Sequence, residues 1–407
     1  MEFREYQKKI IEDAYNIVSV HRFVYLAMEV RTGKTLTSLG LAERLGCKNV
    51  LFLTKKKAIS SITSDYDLMS PTFSLFTINY ESIHKIPNEK WDMIILDEAH
   101  GLGAFPKPSN RAKKVRELIK KNNCSVCLLS GTPTPESYSQ MYHQVYGIPT
   151  NPFREYKNFY RFSDDHVRTV ERNINGYKIK DYSGGLQSIN DLMSPYIISY
   201  TQVQAGFEST IEEEIIKVPM RVNTYDMCKE LKSDLVIELD DEVILADTGV
   251  KLMSKLHQMY SGTVKFESGK SMVLDTSKAE YIKWRFSDKK LGIFYKFKAE
   301  LDALKEVFGD MICTDLEEFN SSQKHIALQI VSGREGISLR NADYIVFYNI
   351  DFSATSYWQA RDRMTTKDRK YNKVFWIFSE GGIESKVYKS VINKKDYTLR
   401  HFRSDVR

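Results

Sequence analysis

Residues 32–35 read Thr32-Gly33-Lys34-Thr35, and about sixty residues later residues 94–100 read Ile94-Ile95-Leu96-Asp97-Glu98-Ala99-His100. The first stretch follows an apolar run and opens a helical pattern, which is typical of a loop that holds phosphate groups. The second stretch ends a buried-strand pattern with two consecutive carboxylates. A third turn, Ser130-Gly131-Thr132-Pro133-Thr134, follows another apolar run. The order of the three turns decides the interpretation, because a Gly-Lys-Thr triplet alone is common by composition.

Each residue of the first two stretches has a chemical reason to bind a nucleoside triphosphate. Gly33 lets backbone amides approach phosphate oxygens closely. Lys34 supplies a positive charge for the β- and γ-phosphates, and Thr35 supplies a hydroxyl for Mg²⁺. Asp97 would hold the metal from another strand, and Glu98 is placed to orient the attacking water. The sequence therefore predicts a site for ATP and Mg²⁺, with Lys34, Asp97 and Glu98 as catalytic residues.

The composition is that of a folded intracellular protein. The chain has 407 residues, of which 42% are hydrophobic, and its formal net charge is +6. That length predicts two or three domains, and the mild positive charge permits a nucleic-acid partner without requiring one. No apolar stretch is long enough for a membrane helix, and residues 1–6 lack the order of a secretory signal. We therefore expect a cytoplasmic protein, associated with the nucleoid or, if viral, with the host cytoplasm, and no membrane partner.

Two of the five cysteines, Cys124 and Cys127, have the spacing of a CxxC motif. A zinc or redox role would require a turn at this place, and zinc would also require a second pair of ligands. The pair instead lies in the apolar run of residues 124–129. We interpret both cysteines as core residues of a buried strand.

The first half of the chain alternates helical and strand patterns, which favours a parallel sheet covered by helices. Runs rich in Val, Ile, Leu and Phe fit strands that are buried on both faces. The predicted helices cover residues 6–18 and 35–45, and the predicted strands cover residues 22–27, 49–53, 73–78, 93–96 and 126–129. The alternation resumes with strands at residues 291–295, 326–331, 344–348 and 374–378 and a helix at residues 298–308.

Between residues 138 and 283 the pattern weakens to helical stretches, such as residues 227–239, and polar loops. The sequence thus predicts an α/β fold of two parallel-sheet domains in tandem with a helical intervening section. We place the first domain at residues 1–205 and the second at residues 206–407, with the helical section extending to about residue 285.

The motifs of the first half resemble those of superfamily 2 helicases and translocases, and most closely their Swi/Snf-like branch. Arg4-Glu5-Tyr6-Gln7 is similar to the adenine-reading Q motif. Residues 27–35 are similar to motif I, in which Met28 takes the place of the usual first loop glycine. Residues 51–55 resemble motif Ia, and residues 130–134 resemble motif III, which in that family links hydrolysis to the nucleic-acid groove.

The second half carries the later motifs of the same family, so the resemblance covers nearly the whole chain. Residues 292–297 resemble motif IV, residues 332–339 resemble motif V, and Trp358-Gln359-Ala360-Arg361-Asp362-Arg363 resembles motif VI. Residues 382–388 resemble the closing helix start of the Swi/Snf-like branch. The resemblance implies two RecA-like domains. Because the chain lacks the large insertions of chromatin remodellers, it looks like the compact phage or bacterial members.

Motif VI departs from the family pattern QxxGRxxR. Asp362 replaces the glycine, and Thr366 occupies the position of the last arginine. In the family that arginine stabilises charge on the γ-phosphate. We therefore assign the role of arginine finger to Arg363. Arg361 and Arg369 are the alternatives if the helix is rotated or the turn is shifted.

The resemblance also assigns the remaining functional residues. Predicted ATP contacts are Arg4, Gln7, Arg31, Thr32, Gly33, Lys34, Thr35, Gly336, Gln359 and Arg363, with Thr35 and Asp97 as Mg²⁺ ligands. Predicted coupling residues between hydrolysis and the nucleic acid are His100, Ser130 and Thr132. Predicted contacts to DNA phosphates, independent of base sequence, are Lys55, Lys56, Lys57 and Arg334. For the three consecutive lysines a solvated loop is an equally good interpretation, and the lysine pairs at 113–114 and 120–121 are predicted to form an exposed helix face.

These assignments predict an ATP-dependent DNA helicase or double-stranded DNA translocase that acts in replication, recombination or repair. DNA is the expected partner, and other replication or recombination proteins are candidates. An RNA helicase is a second interpretation, because the same tetrad and cleft occur there, although residues 382–388 argue against it. A third is a nucleotide-dependent DNA clamp with weak ATPase activity, because motif VI is altered.

Overall fold

A computed structural model describes residues 2–174, 177–206, 210–239, 241–330, 339–353, 357 and 371–392. It divides into two compact units, Met1–Phe207 and Glu208–Arg407. Each unit is built on a parallel sheet flanked by helices. The predicted α/β class with two parallel-sheet domains is therefore confirmed. None of the helices in the described ranges is both long enough and apolar enough to cross a membrane.

The described part of the first unit contains a six-stranded parallel sheet in the order β3-β2-β4-β5-β1-β8. Its strands are β1 (Phe23–Met28), β2 (Asn49–Thr54), β3 (Ser74–Asn79), β4 (Met93–Leu96), β5 (Ser125–Leu129) and β8 (Ile197–Tyr200). The register places Leu53 opposite Leu96 and Leu26 opposite Leu129. Because every pair is parallel, all six strands end at the same edge of the sheet.

Helices cover both faces of this sheet. They are α1 (Glu5–His21), α2 (Lys34–Arg44), α3 (Ile59–Met69), α4 (Asn110–Asn122), α5 (Met141–Val145), α6 (Phe159–His166) and α7 (Gln187–Met193). The core under α1, α2 and α3 contains Val24 and Phe52, whereas the core under the other four contains Tyr25 and Leu53. Neighbouring strand residues thus face opposite helical layers, as expected for a period of two. An antiparallel hairpin of β6 (Val167–Ile174) and β7 (Tyr177–Gly185) completes the unit.

The second unit has a six-stranded parallel sheet among its described residues, in the order β15-β16-β14-β17-β18-β9. Its strands are β9 (Thr210–Val218), β14 (Leu291–Tyr295), β15 (Ile312–Cys313), β16 (His325–Gln329), β17 (Tyr344–Phe347) and β18 (Tyr371–Ser379). Its helices are α8 (Val222–Asp234), α9 (Gly249–Tyr260), α10 (Ser277–Arg285), α11 (Lys298–Phe308), α12 (Leu316–Ser321) and α13 (Glu384–Ile392). Two antiparallel hairpins lie between β9 and β14: β10 (Val236–Leu239) with β11 (Glu242–Leu245), and β12 (Thr263–Lys265) with β13 (Ser271–Val273).

The helix predicted at residues 227–239 differs from the structure at its C-terminal end. The helix α8 ends at Asp234, where Leu235 adopts φ +63° as a left-handed cap. Residues 236–239 then form strand β10, in which Val236 pairs with Leu245. The β-branched side chains of Val236 and Ile237 favour this strand. The intervening section therefore combines helices with antiparallel hairpins.

The CxxC cysteines are core residues, as predicted. Cys127 lies in β5 opposite Val24 and Ile95, and both it and Cys124 are buried. Burial raises the pKa of the Cys124 thiol to about 12, and it raises the pKa of Cys127 as well. Both thiols are therefore protonated at neutral pH, and a protonated thiol is a poor metal ligand and nucleophile.

Candidate nucleotide site

The predicted catalytic residues of the first unit lie at the carboxyl edge of three neighbouring strands. Lys34 begins α2 after β1, Asp97 and Glu98 follow β4, and Ser130 follows β5, which lies between the other two strands. A Cβ atom placed on Gly131 would lie 3.6 Å from Lys34 Nζ. The fold thus gathers residues that are far apart in sequence at the edge where open α/β sheets bind their ligands.

The loop before α2 requires glycine at position 33. Gly33 has φ +82° as the N-cap of α2, and a Cβ atom there would lie 2.5 Å from Gln7 Nε2. The left-handed conformation therefore favours glycine, and a Cβ atom would also displace the end of the Gln7 side chain. Lys34 Nζ donates to the Met28 carbonyl at 2.9 Å, and the buried Thr32 hydroxyl donates to the Glu29 carbonyl at 2.7 Å. These bonds fold the loop back onto the end of β1.

The predicted Q-motif segment packs against this loop. The Arg4 amide donates to Gln7 Oε1 at 3.0 Å, and Gln7 Nε2 lies 3.5 Å from the Gly33 carbonyl. Tyr6 donates its hydroxyl to the Thr32 carbonyl at 3.0 Å. The segment therefore lies against the loop, while its predicted role in reading adenine stays a prediction.

Asp97 is held from three sides. Its Oδ2 accepts from Thr54 Oγ1 at 2.7 Å, its carbonyl accepts from the Tyr80 hydroxyl at 2.6 Å, and its amide donates to the Leu53 carbonyl at 2.9 Å. Burial, followed by the charge of Asp97, raises the pKa of Tyr80, so its hydroxyl remains a donor at neutral pH. These three hydrogen bonds fix the position of Asp97 directly after β4.

The predicted coupling residues form one chain of contacts with Glu98. His100 Nδ1 lies 3.2 Å from Glu98 Oε2 and 3.0 Å from Ser130 Oγ. Ser130 Oγ in turn accepts from the Thr132 amide at 3.1 Å. The side chains of Glu98 and His100 retain 16% and 10% exposure, so solvent and ligands can reach them.

Backbone strain is concentrated at this site. Among the described non-glycine residues, six have positive φ, and four of these are left-handed caps at helix C-termini: Arg22, Ser70, Asn123 and Leu235. The other two are Arg31 at φ +64° in the phosphate loop and Glu98 at φ +50° after β4. Such conformations cost about 1–3 kcal/mol each and cluster where function requires them.

A family model described as the SNF2-related domain matches residues 19–262. The chain belongs to the SNF2-related family. This membership confirms the predicted Swi/Snf-like branch. The matched span includes the phosphate loop and the acidic strand end, and it stops before the segments that resemble motifs IV to VI. A search of curated proteins found no match.

Two solved structures from Sulfolobus solfataricus are among those similar to this chain. The SWI2/SNF2 ATPase core in complex with dsDNA is 13% identical, with 97% of this chain and 91% of that chain covered and a TM-score of 0.43. The SWI2/SNF2 ATPase core domain is 14% identical, with 97% of this chain and 89% of that chain covered and the same TM-score of 0.43.

The remaining predicted contacts are the three lysines after β2 and six residues that lie outside the described ranges. Lys56 and Lys57 are exposed and Lys55 is half-buried, directly after β2 at the carboxyl edge. This position suits either interpretation of the three lysines. Predicted residues outside the described ranges are Arg334, Gly336, Gln359, Arg361, Arg363 and Arg369. Their roles stay predictions.

Sequence reasoning missed the residues that support the phosphate loop from β8. The Glu29 amide donates to the Tyr200 carbonyl at 2.9 Å, and Glu29 Oε2 accepts from the Gln202 amide at 2.7 Å. Gln202 Nε2 donates to the Val30 carbonyl at 3.0 Å, and the Tyr200 ring stacks on Tyr6 at 4.7 Å. No local pattern indicates these contacts, because they join segments about 170 residues apart.

The residues present fit ATP and Mg²⁺. The glycine-dependent loop at the start of α2 offers backbone amides and the Lys34 ammonium to phosphate groups. The Thr35 hydroxyl and the Asp97 carboxylate are the hard oxygen donors that Mg²⁺ prefers. The arrangement in this SNF2-related chain can therefore bind a nucleotide and hold an acidic residue, Glu98, beside it.

Proposed function

We propose that the protein is an ATP-dependent DNA motor, a helicase or double-stranded DNA translocase of the compact phage or bacterial type, acting in replication, recombination or repair. The observation that carries the proposal is the meeting of Lys34, Asp97, Glu98 and Ser130 at one sheet edge. Membership of the SNF2-related family supports it. Such an enzyme would work in the cytoplasm of the cell or of a viral host.

In this proposal the first unit binds ATP and activates water. Lys34 neutralises charge on the β- and γ-phosphates, and Thr35 and Asp97 would hold Mg²⁺, which would neutralise the same oxygens. Glu98 orients the attacking water and accepts its proton. Its backbone is held in a left-handed conformation directly after β4, as is common for residues at functional sites. Arg363 is the proposed finger on the γ-phosphate.

The contacts of Glu98 suggest how hydrolysis is transmitted. His100 contacts both Glu98 and Ser130, and Ser130 contacts the Thr132 amide. A change of charge at Glu98 would therefore alter the hydrogen bonds of the turn after β5. We propose that this turn couples the nucleotide to the grip on DNA, and that Lys55, Lys56, Lys57 and Arg334 contact the DNA backbone.

The test is the ATPase rate of the full chain with duplex DNA, single-stranded DNA, RNA or no nucleic acid, followed by a strand-displacement assay on the best activator. We expect DNA to stimulate turnover and Lys34→Ala to lower it by at least about a hundredfold. Stimulation by RNA alone would indicate an RNA helicase. Binding to DNA without stimulated turnover would indicate a nucleotide-dependent clamp.

The finger role is tested separately with Arg363→Ala. We expect this variant to bind a fluorescent ATP analogue as the wild type does and to lose hydrolysis, because the finger acts on the transition state. The same substitution at Arg361 and at Arg369 provides matched controls. If one of these controls loses hydrolysis while Arg363→Ala retains it, the finger is that residue.

A further inference from the structure

The helix α4 carries most of the net charge of the chain. Its 13 residues include six cations and one anion, Glu117, for a net charge of +5, whereas the whole chain has +6. Five of the cations are exposed and form the α4 basic face: Lys113, Lys114, Arg116, Lys120 and Lys121. The opposite side of the helix is buried through Ala112, Val115 and Ile119.

Contacts within the chain do not account for this charge. Arg116 lies over the Tyr146 ring at 4.4 Å, and Lys121 Nζ donates to Asn88 Oδ1 at 2.7 Å. In the described part of the chain, no acidic group forms an ion pair with Lys113, Lys114 or Lys120. A single anion thus stands among five exposed cations.

Helix stability explains only the C-terminal half of the α4 basic face. Lys120 and Lys121 lie in the last turn, where the helix dipole favours positive charge. Lys113 and Lys114 lie near the other end, where the same dipole disfavours it. Lys113, Arg116 and Lys120 are also spaced by three and four residues, so they are neighbours that repel each other, and Glu117 offsets only part of this repulsion. A bound polyanion would neutralise these charges and remove the repulsion between them.

We propose that the α4 basic face binds the phosphate backbone of duplex DNA, at a contact separate from the predicted contact of Lys55, Lys56 and Lys57. This inference rests on the proposed function, which names DNA as the substrate. The α4 helix packs on the opposite side of the sheet from α2 and α3, against the core that contains Leu53 and Ile94. It therefore forms a surface of its own beside the acidic strand end.

The character of the face favours nucleic acid over an acidic protein. The helix is described throughout, and it contributes none of the exposed large hydrophobic side chains. Protein interfaces are depleted of lysine at their core and need buried apolar or aromatic anchors. The phosphate backbone of a DNA duplex, in contrast, is bound by positively charged side chains without such anchors. Lys113 to Lys120 spans about 10 Å of helix, and the same length of duplex carries about six phosphates.

The α4 helix is connected to the acidic strand end through the segment that follows β3. Arg111 donates to Glu81, and its guanidinium lies over the Tyr80 ring at 5.0 Å. Tyr80 in turn donates to the Asp97 carbonyl. The side chains of Arg111 and Tyr80 therefore link the α4 helix to the proposed magnesium ligand, Asp97.

The test compares two variants of the full chain that lose the same charge. The first is Lys113→Gln/Lys114→Gln/Lys120→Gln, and the control is Lys9→Gln/Lys229→Gln/Lys305→Gln, which removes exposed helical lysines elsewhere. Glutamine preserves helix propensity, so both should fold. Duplex DNA binding is measured by fluorescence anisotropy over a range of KCl concentrations, with a polyglutamate peptide as a second probe and ATPase without DNA as a check.

We expect the α4 variant to bind duplex DNA at least about tenfold more weakly, with a salt slope smaller by about two to three, since each phosphate contact contributes about 0.9. The control should keep the wild-type slope. Equal slopes for both variants, or loss of polyglutamate binding alone, would overturn the inference while leaving the proposed function intact. A wild-type chain that binds no duplex would overturn both.

Discussion

Both units place polar residues at the carboxyl edge of a parallel sheet, but these residues are partly exposed in the first unit and buried in the second. In the first unit the site cluster, Glu98, His100 and Ser130, follows β4 and β5 and keeps part of its surface exposed. In the second unit the buried cluster, His257, Asn349 and Glu300, adjoins the carboxyl ends of β14 and β17 and has no exposed surface. Both clusters contain a histidine and a carboxylate at the edge of a parallel sheet.

Hydrogen bonds join the three members of the buried cluster, although the buried His257 Nδ1 has no hydrogen-bond partner among the described residues. Asn349 Nδ2 donates to Glu300 Oε1 at 2.5 Å, and His257 Nε2 lies 2.6 Å from Asn349 Oδ1. Glu300 Oε2 accepts from the amides of Lys296 at 2.6 Å and Phe297 at 3.0 Å. Because Asn349 Oδ1 can only accept, His257 carries its proton on Nε2. Both oxygens of the Glu300 carboxylate therefore accept hydrogen bonds from groups of the second unit.

The difference shows that a histidine and a carboxylate at strand ends do not by themselves make a ligand site. Accessibility and strain separate the two cases. Glu98 is partly exposed and has a left-handed backbone, whereas Glu300 is fully buried in a regular helix. We therefore expect substitutions in the first cluster to change turnover, and substitutions among the buried polar groups of the second unit to change stability.

The largest expected effect concerns a second buried contact in that unit. Lys278 Nζ donates to Glu384 Oε1 at 2.7 Å, and neither side chain has exposed surface. Lys278→Met leaves the Glu384 charge buried without its partner, which should lower the free energy of unfolding by about 3–5 kcal/mol. Denaturant unfolding measures this change. Lys278→Met/Glu384→Leu should recover most of the loss, and a single variant as stable as the wild type would contradict the interpretation.

The next effect is on catalysis. Glu98→Gln removes the carboxylate proposed to accept the proton of water, so we expect the DNA-stimulated ATPase rate to fall by at least about a hundredfold. The midpoint of thermal unfolding should stay within about 2 °C, because the side chain is partly exposed. The control is Glu230→Gln on the exposed face of α8. A stable variant with wild-type turnover would show that Glu98 does not act in catalysis.

The sequence predicts most of the parallel strands because they are continuous apolar runs. The strand predicted at residues 93–96 and the helix predicted at residues 298–308 have the bounds of β4 and α11. Strand β9 was missed because it contains Glu212, Glu213 and Glu214 in a row, which masks any apolar pattern. Only tertiary contacts explain it: Glu213 accepts from the hydroxyls of Tyr357 and Tyr388 and from the Trp376 indole.

The same limit applies to the candidate site. Residues that would contact the nucleotide stand in short motifs, since the loop and the strand end each place several groups within a few positions. The supporting residues stand alone: Thr54 reaches Asp97 from another strand, and Gln202 reaches Glu29 from the far end of the unit. A single side chain at long sequence separation leaves no pattern from which its role could be predicted.

The third prediction concerns how the burial of His257 makes the stability of the protein depend on pH. Burial lowers the pKa of His257 well below 6.5, with Lys296 and Lys278 acting in the same direction and the bond to Asn349 opposing them. The folded chain keeps this histidine neutral, whereas the unfolded chain protonates it below pH 6.5. Its contribution to stability is therefore present above pH 6.5 and is lost as the pH falls, by up to about 1.4 kcal/mol per pH unit.

Denaturant unfolding of the wild type, of His257→Gln and of His84→Gln at pH 7, 6 and 5 isolates this contribution. The other histidines with lowered pKa, His143, His166 and His325, are present in all three proteins and cancel in the comparison. We expect the His257 variant to lose less stability between pH 7 and pH 5 than the exposed His84 control. Parallel curves would mean that the folded chain protonates His257 as readily as the unfolded chain does.

The smallest effect concerns the support of Asp97 by Thr54 Oγ1 at 2.7 Å. Thr54→Val keeps the shape of this buried side chain and removes the donor, while Tyr80 and the β2 backbone still hold Asp97. The loss of one such hydrogen bond, about 1 kcal/mol, should lower kcat/KM for ATP about fivefold. Because Asp97 is the proposed metal ligand, the half-saturating Mg²⁺ concentration should rise as well. Thr54→Ser retains the hydroxyl and should behave as the wild type. A Thr54→Val variant with reduced stability and an unchanged Mg²⁺ requirement would show that this bond only holds two strands together, as the bonds of the buried cluster do.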